Sequence, residues 1–201
     1  QLIQTARHAI DDSSSTNISD KQFCLCVGTS HAGTAAAVAL SHMADEQGAD
    51  GVMVAPQQDS ITAAGPTLED AMELYDRIHQ QCPSLPIILQ DHPSSTGVHL
   101  SITTLKEILV TIPTVQSIKL ESLPTAQRID ALDESIPKEG TLFADAASNG
   151  SYADGCTILT GLGALYAGFD MTAVHPSNSR MMHHGFMTGF AFPEILVAMH
   201  Q

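Results

Sequence analysis

Positive charge is what this chain has least of. Eight Lys and Arg stand against 22 Asp and Glu, a formal charge of −14. Binding a nucleic-acid backbone requires clustered Lys and Arg, so nucleic acid is excluded as a partner. An anionic membrane surface is excluded on the same ground. A small anionic substrate is not, because one lysine and a few backbone N–H groups can hold a carboxylate. No apolar run approaches the ~20 residues of a membrane helix, and the opening Gln1-Leu2-Ile3-Gln4-Thr5-Ala6-Arg7 lacks a signal-peptide apolar region. Cysteine is scarce too: Cys24, Cys26, Cys82 and Cys156 form neither a CxxC redox pair nor a zinc knuckle, and read as reduced thiols of a cytoplasmic protein. The glycine-rich pieces His31-Ala32-Gly33 and Gly161-Leu162-Gly163 make no GxGxxG after the first expected strand, and no Walker A sequence exists. No nucleotide cofactor is therefore expected, nor any other.

What is present is a globular composition: 201 residues, 43% hydrophobic and 15% charged, enough for one core and one domain over residues 1–201. Short apolar runs alternate with longer amphipathic ones. Strands are expected at 23–27, 51–55, 86–90, 115–120, 157–160 and 186–190, and helices at 34–47, 67–81, 101–111, 124–132 and 193–200. Gly48 supplies the glycine expected after a helix, and Thr67 with Glu69 and Asp70 reads as a helix start. Strand–helix alternation implies parallel pairing with right-handed crossovers. An open doubly wound sheet and a (β/α)8 barrel both satisfy it. The barrel needs eight strands and typically ~250 residues, so it requires units upstream of residue 1. Leu2, Ile3, Ala6 and Ile10 at helical spacing agree, because they read as a helix entered partway. Residues 145–155 and 172–184 are polar, turn-rich and long for βα connections, and are expected to be surface insertions; residues 11–20 are expected to be a loop.

Lys119 is the chemically informative residue. It lies between Ile118 and Leu120 in a strand-like run, where burial disfavours an ammonium. A strand lysine of lowered pKa can attack a carbonyl and form a Schiff base; the alternative is a lysine on a solvated or edge strand. In a parallel α/β protein catalytic groups gather at the C-terminal strand ends. Those ends carry Gly28-Thr29-Ser30-His31, Pro56-Gln57-Gln58, Gln90-Asp91-His92-Pro93, Lys119-Leu120-Glu121 and Thr160-Gly161. The set suits imine chemistry on a 2-oxo acid. A metal-dependent lyase or hydrolase using His31, Asp91 or His92 is a second reading, weakened because neighbouring strand residues point to opposite faces; no metal ligand is assigned. Thr29 and Ser30 also suit capping of the next helix, Glu121 a helix entry, and His175, His183 and His184 solvent.

Leu85-Pro86-Ile87-Ile88-Leu89-Gln90-Asp91-His92-Pro93-Ser94-Ser95-Thr96-Gly97 resembles the fifth-strand segment of the dihydrodipicolinate synthase/N-acetylneuraminate lyase family. Ser117-Ile118-Lys119-Leu120-Glu121 follows at the family's spacing and resembles its Gly-Ile-Lys-Glu segment. Val27-Gly28-Thr29-Ser30, residues 51–56, Leu159-Thr160-Gly161 and residues 185–189 resemble further strands. The resemblance implies an α/β fold, a (β/α)8 TIM barrel with its first strands missing from this chain. It also implies a homo-oligomeric lyase that binds pyruvate or a related 2-oxo acid as an imine. Lys119 would be the Schiff-base nucleophile, Gln90 would stand at the position of the family's relay tyrosine, and His92 is an acid/base candidate. Gly28, Thr29, Gly161 and Met187 would contact substrate, with Asp91 structural. The departures are informative. The family's Gly-Thr-Thr-Gly-Glu segment is absent, Gln57-Gln58 replace a tyrosine pair, and Ser95 replaces the arginine that holds the synthases' second substrate. Glutamine cannot titrate near neutrality. These changes point toward aldol cleavage, condensation or dehydration of 2-keto-3-deoxy sugar acids. 4-Hydroxy-tetrahydrodipicolinate synthesis and a catalytically inactive or regulatory homologue are the alternatives.

Overall fold

The computed structural model describes residues 1–14, 24–58, 65–135, 157–161 and 185–186. In chain order these form α1 (Leu2–Ser14), β1 (Cys26–Gly28), α2 (Thr34–Glu46), β2 (Gly51–Val54), α3 (Leu68–Gln81), β3 (Ile87–Asp91), α4 (Pro93–Thr96), α5 (Ile102–Thr111), β4 (Val115–Leu120), α6 (Thr125–Ser135), β5 (Thr157–Thr160) and β6 (Gly185–Phe186). The six strands pair in parallel and in strictly sequential order, β1 through β6. A doubly wound sheet reverses its strand order at a switch point; this sheet has no reversal among the described residues, and it is an arc of a (β/α)8 barrel.

Alternation along the strands assigns the two faces. Val52, Val54, Ile87, Leu89, Ile118, Leu120 and Ile158 are buried against Ala37 and Ala44 of α2, Leu74, Tyr75 and Ile78 of α3, Leu105 and Ile108 of α5, and Ile129 and Leu132 of α6. The helices therefore cover one face, and the opposite face is the barrel interior. One irregularity sets which residues line it. Between β3 and β4 the register runs Ile87↔Val115 and then Ile88↔Ser117, so β4 carries one extra residue, the exposed Gln116. An inserted residue reverses the facing of everything after it. Val115 belongs to the helix-side core, whereas Ser117 and Lys119 face the interior.

Local sequence explains the helix starts. Thr67 caps α3 in a reciprocal box: its Oγ1 accepts from Asp70 N–H at 3.1 Å, and Asp70 Oδ2 accepts from Thr67 N–H at 2.8 Å. The charge-stabilising N–H and hydroxyl donors of Thr67 hold the Asp70 carboxyl below the usual carboxylate range. Ser101 caps α5 by accepting from Thr104 N–H at 3.0 Å. Helix α2 starts differently: Gly33 is its N-cap without a side-chain bond, so neither Thr29 nor Ser30 is the cap.

Several expected boundaries shift. The first strand lies at Cys26–Gly28 rather than 23–27, and the expected loop at 11–20 is helical as far as Ser14. Helix α4 was not expected; it starts at Pro93, whose ring suits a first helical turn, and closes at Gly97 in the left-handed region (φ 69°). The expected insertions at 145–155 and 172–184, the expected helix at 193–200, and His175, His183, His184 and Met187 lie outside the described residues. No helix among the described residues is long and apolar enough to cross a membrane.

Candidate active site

Lys119 sits at the centre of the interior face, opposite Gln90 of β3 on one side and Leu159 of β5 on the other. Its side chain is 9% exposed. Glu121 is two residues further along, and period-2 alternation returns it to the same face. Its backbone N–H donates to Asp91 O at 2.9 Å, which extends the β3–β4 pairing beyond the end of β4. The Glu121 side chain is 4% exposed; Oε1 is 3.2 Å from Lys119 Nζ, and Oε2 accepts from Gln90 Nε2 at 2.7 Å. Two opposite charges are thus buried together, and each takes part in the other's compensation.

Gly161 makes this packing possible. A Cβ at position 161 would overlap both Glu121 Oε1 and Lys119 Cε, so any side chain there would displace the pair. Gly28 differs, since a Cβ there would meet nothing within 4 Å. His92 Nδ1 lies 2.9 Å from Ser95 Oγ and 3.8 Å from Glu121 Oε2, so its hydrogen bond is to Ser95 and its approach to Glu121 is electrostatic. Cys26, at the start of β1, is the further titratable group that feels Lys119. Burial pushes its thiol up, the neighbouring Cys24 adds to this, and Lys119 opposes it.

Thr29 does not join the group. Its side chain is buried on the helix side, with Oγ1 2.9 Å from Ser41 Oγ of α2, which corrects its expected role as a substrate contact. Ser30 Oγ accepts from Ala55 N–H at 2.8 Å, tying β1 to β2. Asp91 faces the helices as well. It accepts from Ser122 Oγ, and Arg128 Nη2 of α6 approaches its Oδ2 at 3.1 Å while also donating to Leu100 O at 2.8 Å. Asp91 and His92 thus point to opposite faces, Asp91 to Arg128 and His92 toward Glu121, as alternation along the strand implied. Gln58 Nε2 donates to Gly97 O at 2.8 Å, bracing the loop after β2 against the loop after β3.

Glu121 is the residue the sequence reading misplaced, as a helix-entry carboxylate. The signal was available: Lys-x-Glu on a strand puts amine and carboxylate on one face. Two further features lie away from Lys119. A cavity of about 370 Å³ is lined by His31, Thr34, Pro56, Gln57, Asp70 and Leu74, among others, beside the start of α3. Donor atoms of His42, Asp45 and Cys82 lie within 4.8 Å of one another where α2 meets the end of α3.

A model of the dihydrodipicolinate synthetase family matches residues 13–155. Among curated relatives, the 4-hydroxy-tetrahydrodipicolinate synthase of Desulforamulus reducens is 27% identical over 150 residues, covering 73% of this chain and 48% of that protein. The enzyme of the same name from Caldicellulosiruptor bescii is 39% identical over 94 residues, covering 46% of this chain and 29% of that protein. The solved dihydrodipicolinate synthase of Rhodopseudomonas palustris superposes with TM-score 0.67 at 25% identity, covering 98% of this chain and 56% of that one. The enzyme of Cyanidioschyzon merolae, solved with lysine bound, gives 0.71 at 15% identity, covering 99% and 55%, a likeness of fold alone. The matched stretches span less than half the length of these curated relatives.

Proposed function

The chain belongs to the dihydrodipicolinate synthetase family, and from that premise we propose that it works as a lyase on a 2-oxo acid through a Schiff base on Lys119. The observation that carries the reading is a buried primary amine on the interior face, near the C-terminal end of β4, with a carboxylate at 3.2 Å. Such an amine can condense with a ketone, and the resulting imine draws electrons from the adjacent bond. Carbon–carbon cleavage or condensation and carbon–oxygen dehydration all proceed from that intermediate. Gln90 orients Glu121 and is no acid or base itself. Gly161 leaves the amine and carboxylate room, and Gly28 leaves open space at the end of β1. The same kinship brings a homo-oligomeric state and a cytoplasmic location into the proposal.

The preferred substrates are pyruvate-type or 2-keto-3-deoxy sugar acids. Gln57, Gln58 and Ser95 present no phenol or guanidinium to a second carboxylated substrate. Ser95 instead bonds His92. The names of the curated relatives favour the second reading, 4-hydroxy-tetrahydrodipicolinate synthesis. Incubation with pyruvate and borohydride, followed by peptide mapping, tests the shared step: a stable adduct is expected on Lys119 and absent from Lys119→Arg. An adduct on another residue sinks the assignment. Turnover of keto-deoxy sugar acids, against condensation of pyruvate with aspartate semialdehyde, then separates the two substrates.

A further inference from the structure

We infer that Glu121 is the proton carrier of this site, taking over work that Gln90 cannot do. The inference rests on the Schiff-base reading above and adds a second reacting group to it. Imine chemistry requires a group that moves protons between nitrogen, oxygen and carbon. Gln90 holds the position next to Lys119 across the β3–β4 ladder, and an amide does not titrate. The one tyrosine among the described residues, Tyr75, is buried on the helix side, where its hydroxyl donates to Val54 O at 2.9 Å. Glu121 alone among the described carboxylates faces Lys119. Its Oε1 is directed at Nζ, while Gln90 fixes its Oε2. The other titratable groups facing this pair are His92, bonded to Ser95, and Cys26, whose thiol burial keeps protonated; β5 and β6 contribute none among their described residues.

The steps balance without any oxidant or reductant. A proton passes from Lys119 Nζ to Glu121 Oε1 and frees the nitrogen lone pair. Nζ attacks the ketone carbon, a C–N bond forms, and the carbonyl π pair moves to oxygen. Glu121 returns its proton to that oxygen and removes one from the attached nitrogen, which gives a neutral carbinolamine. It passes this second proton to the hydroxyl, which leaves as water with the C–O pair as the freed nitrogen lone pair closes the protonated C=N bond. The carboxylate then takes a proton from the carbon next to the imine. The C–H pair becomes the enamine double bond, and the C=N π pair returns to nitrogen. Reversal in D2O places deuterium on that carbon.

Two readouts test this: borohydride trapping of pyruvate on Lys119, and exchange of the pyruvate methyl protons in D2O followed by NMR. The wild-type protein is expected to show both. Glu121→Gln, which keeps the shape of the buried group, is expected to slow exchange by about 100-fold, the lower range of general acid–base contributions. Glu121→Asp is expected to recover part of that loss and to displace the pH profile of exchange, with circular dichroism confirming that both variants fold. No adduct in the wild-type protein defeats the Schiff-base reading itself. Trapping in the wild type, with exchange in Glu121→Gln within threefold of it, overturns the proton-carrier inference and leaves the lysine assignment standing. A pH profile of exchange that is the same in Glu121→Gln as in the wild type overturns it too, because the titrating carboxylate is gone from that variant.

Discussion

Gly161→Ala is the substitution that most directly tests how the site is built. The new methyl would overlap Glu121 Oε1 and Lys119 Cε, so something must move. One route swings Glu121 away. That separates it from Lys119 and Gln90 and leaves buried charges without partners, a cost of about 3–5 kcal/mol. The other shifts the end of β5, as an overpacked core does, at about 1–3 kcal/mol. Four registered positions tie β5 to β4, from Ser117↔Thr157 to Leu120↔Thr160, so that shift is resisted but remains the cheaper route. The expected loss is therefore about 1–3 kcal/mol in urea unfolding. Displacing the amine by about 1 Å should also slow pyruvate trapping on the order of 100-fold. Gly28→Ala is the internal control, because its methyl meets no atom within 4 Å; its stability should stay within about 0.5 kcal/mol of wild type. If Gly161→Ala matched wild type in both stability and trapping rate, the close packing of Gly161, Glu121 and Lys119 would be wrong.

Two further expectations concern the scaffold. Arg128→Met leaves the 1%-exposed Asp91 carboxylate with Ser122 as its remaining side-chain partner among the described residues, so unfolding should become easier by about 3–5 kcal/mol; adding Asp91→Asn should restore part of the loss, and a simple sum of the two effects would show that they do not interact. The lowered pKa of Asp70 means that the folded state releases this proton more readily than the unfolded chain does. Its stabilisation is complete above the ordinary carboxylate pKa and fades as pH falls through the lowered folded value, so Asp70→Asn should flatten the acid limb of thermal stability below about pH 4. An unchanged acid limb would contradict the capping box.

The repeating strand–helix pattern was legible because each element carries its own signal. Apolar runs bounded by glycine or proline marked β2, β3, β4 and β5 to within a residue, and Thr67 marked a helix start through a hydroxyl that competes for free N–H groups. Helix α4 was not legible, because four residues after His92 have no periodicity to read. The choice between a barrel and a doubly wound sheet was not legible from the elements either. It depends on which strands are neighbours, and the sequential order β1 to β6 decided it; before that, only the likeness of the Gln90 and Lys119 segments to one family favoured the barrel.

At the site, the sequence determined that one lysine lies in an apolar strand and that a glutamic acid follows it at the spacing of a shared face. The tertiary structure decided which face that is. The extra residue at Gln116 reverses the facing of the second half of β4, placing Val115 in the helix-side core and Lys119 in the interior. The tertiary structure also gave Thr29 and Asp91 partners on the helices, Ser41 on α2 and Arg128 on α6. Alternation along a strand is a local rule with a period of two residues, so the chain by itself specifies which side chains point the same way. Which of the two directions is the interior depends on pairing with β3 and on where the helices pack, and those contacts join residues distant in sequence.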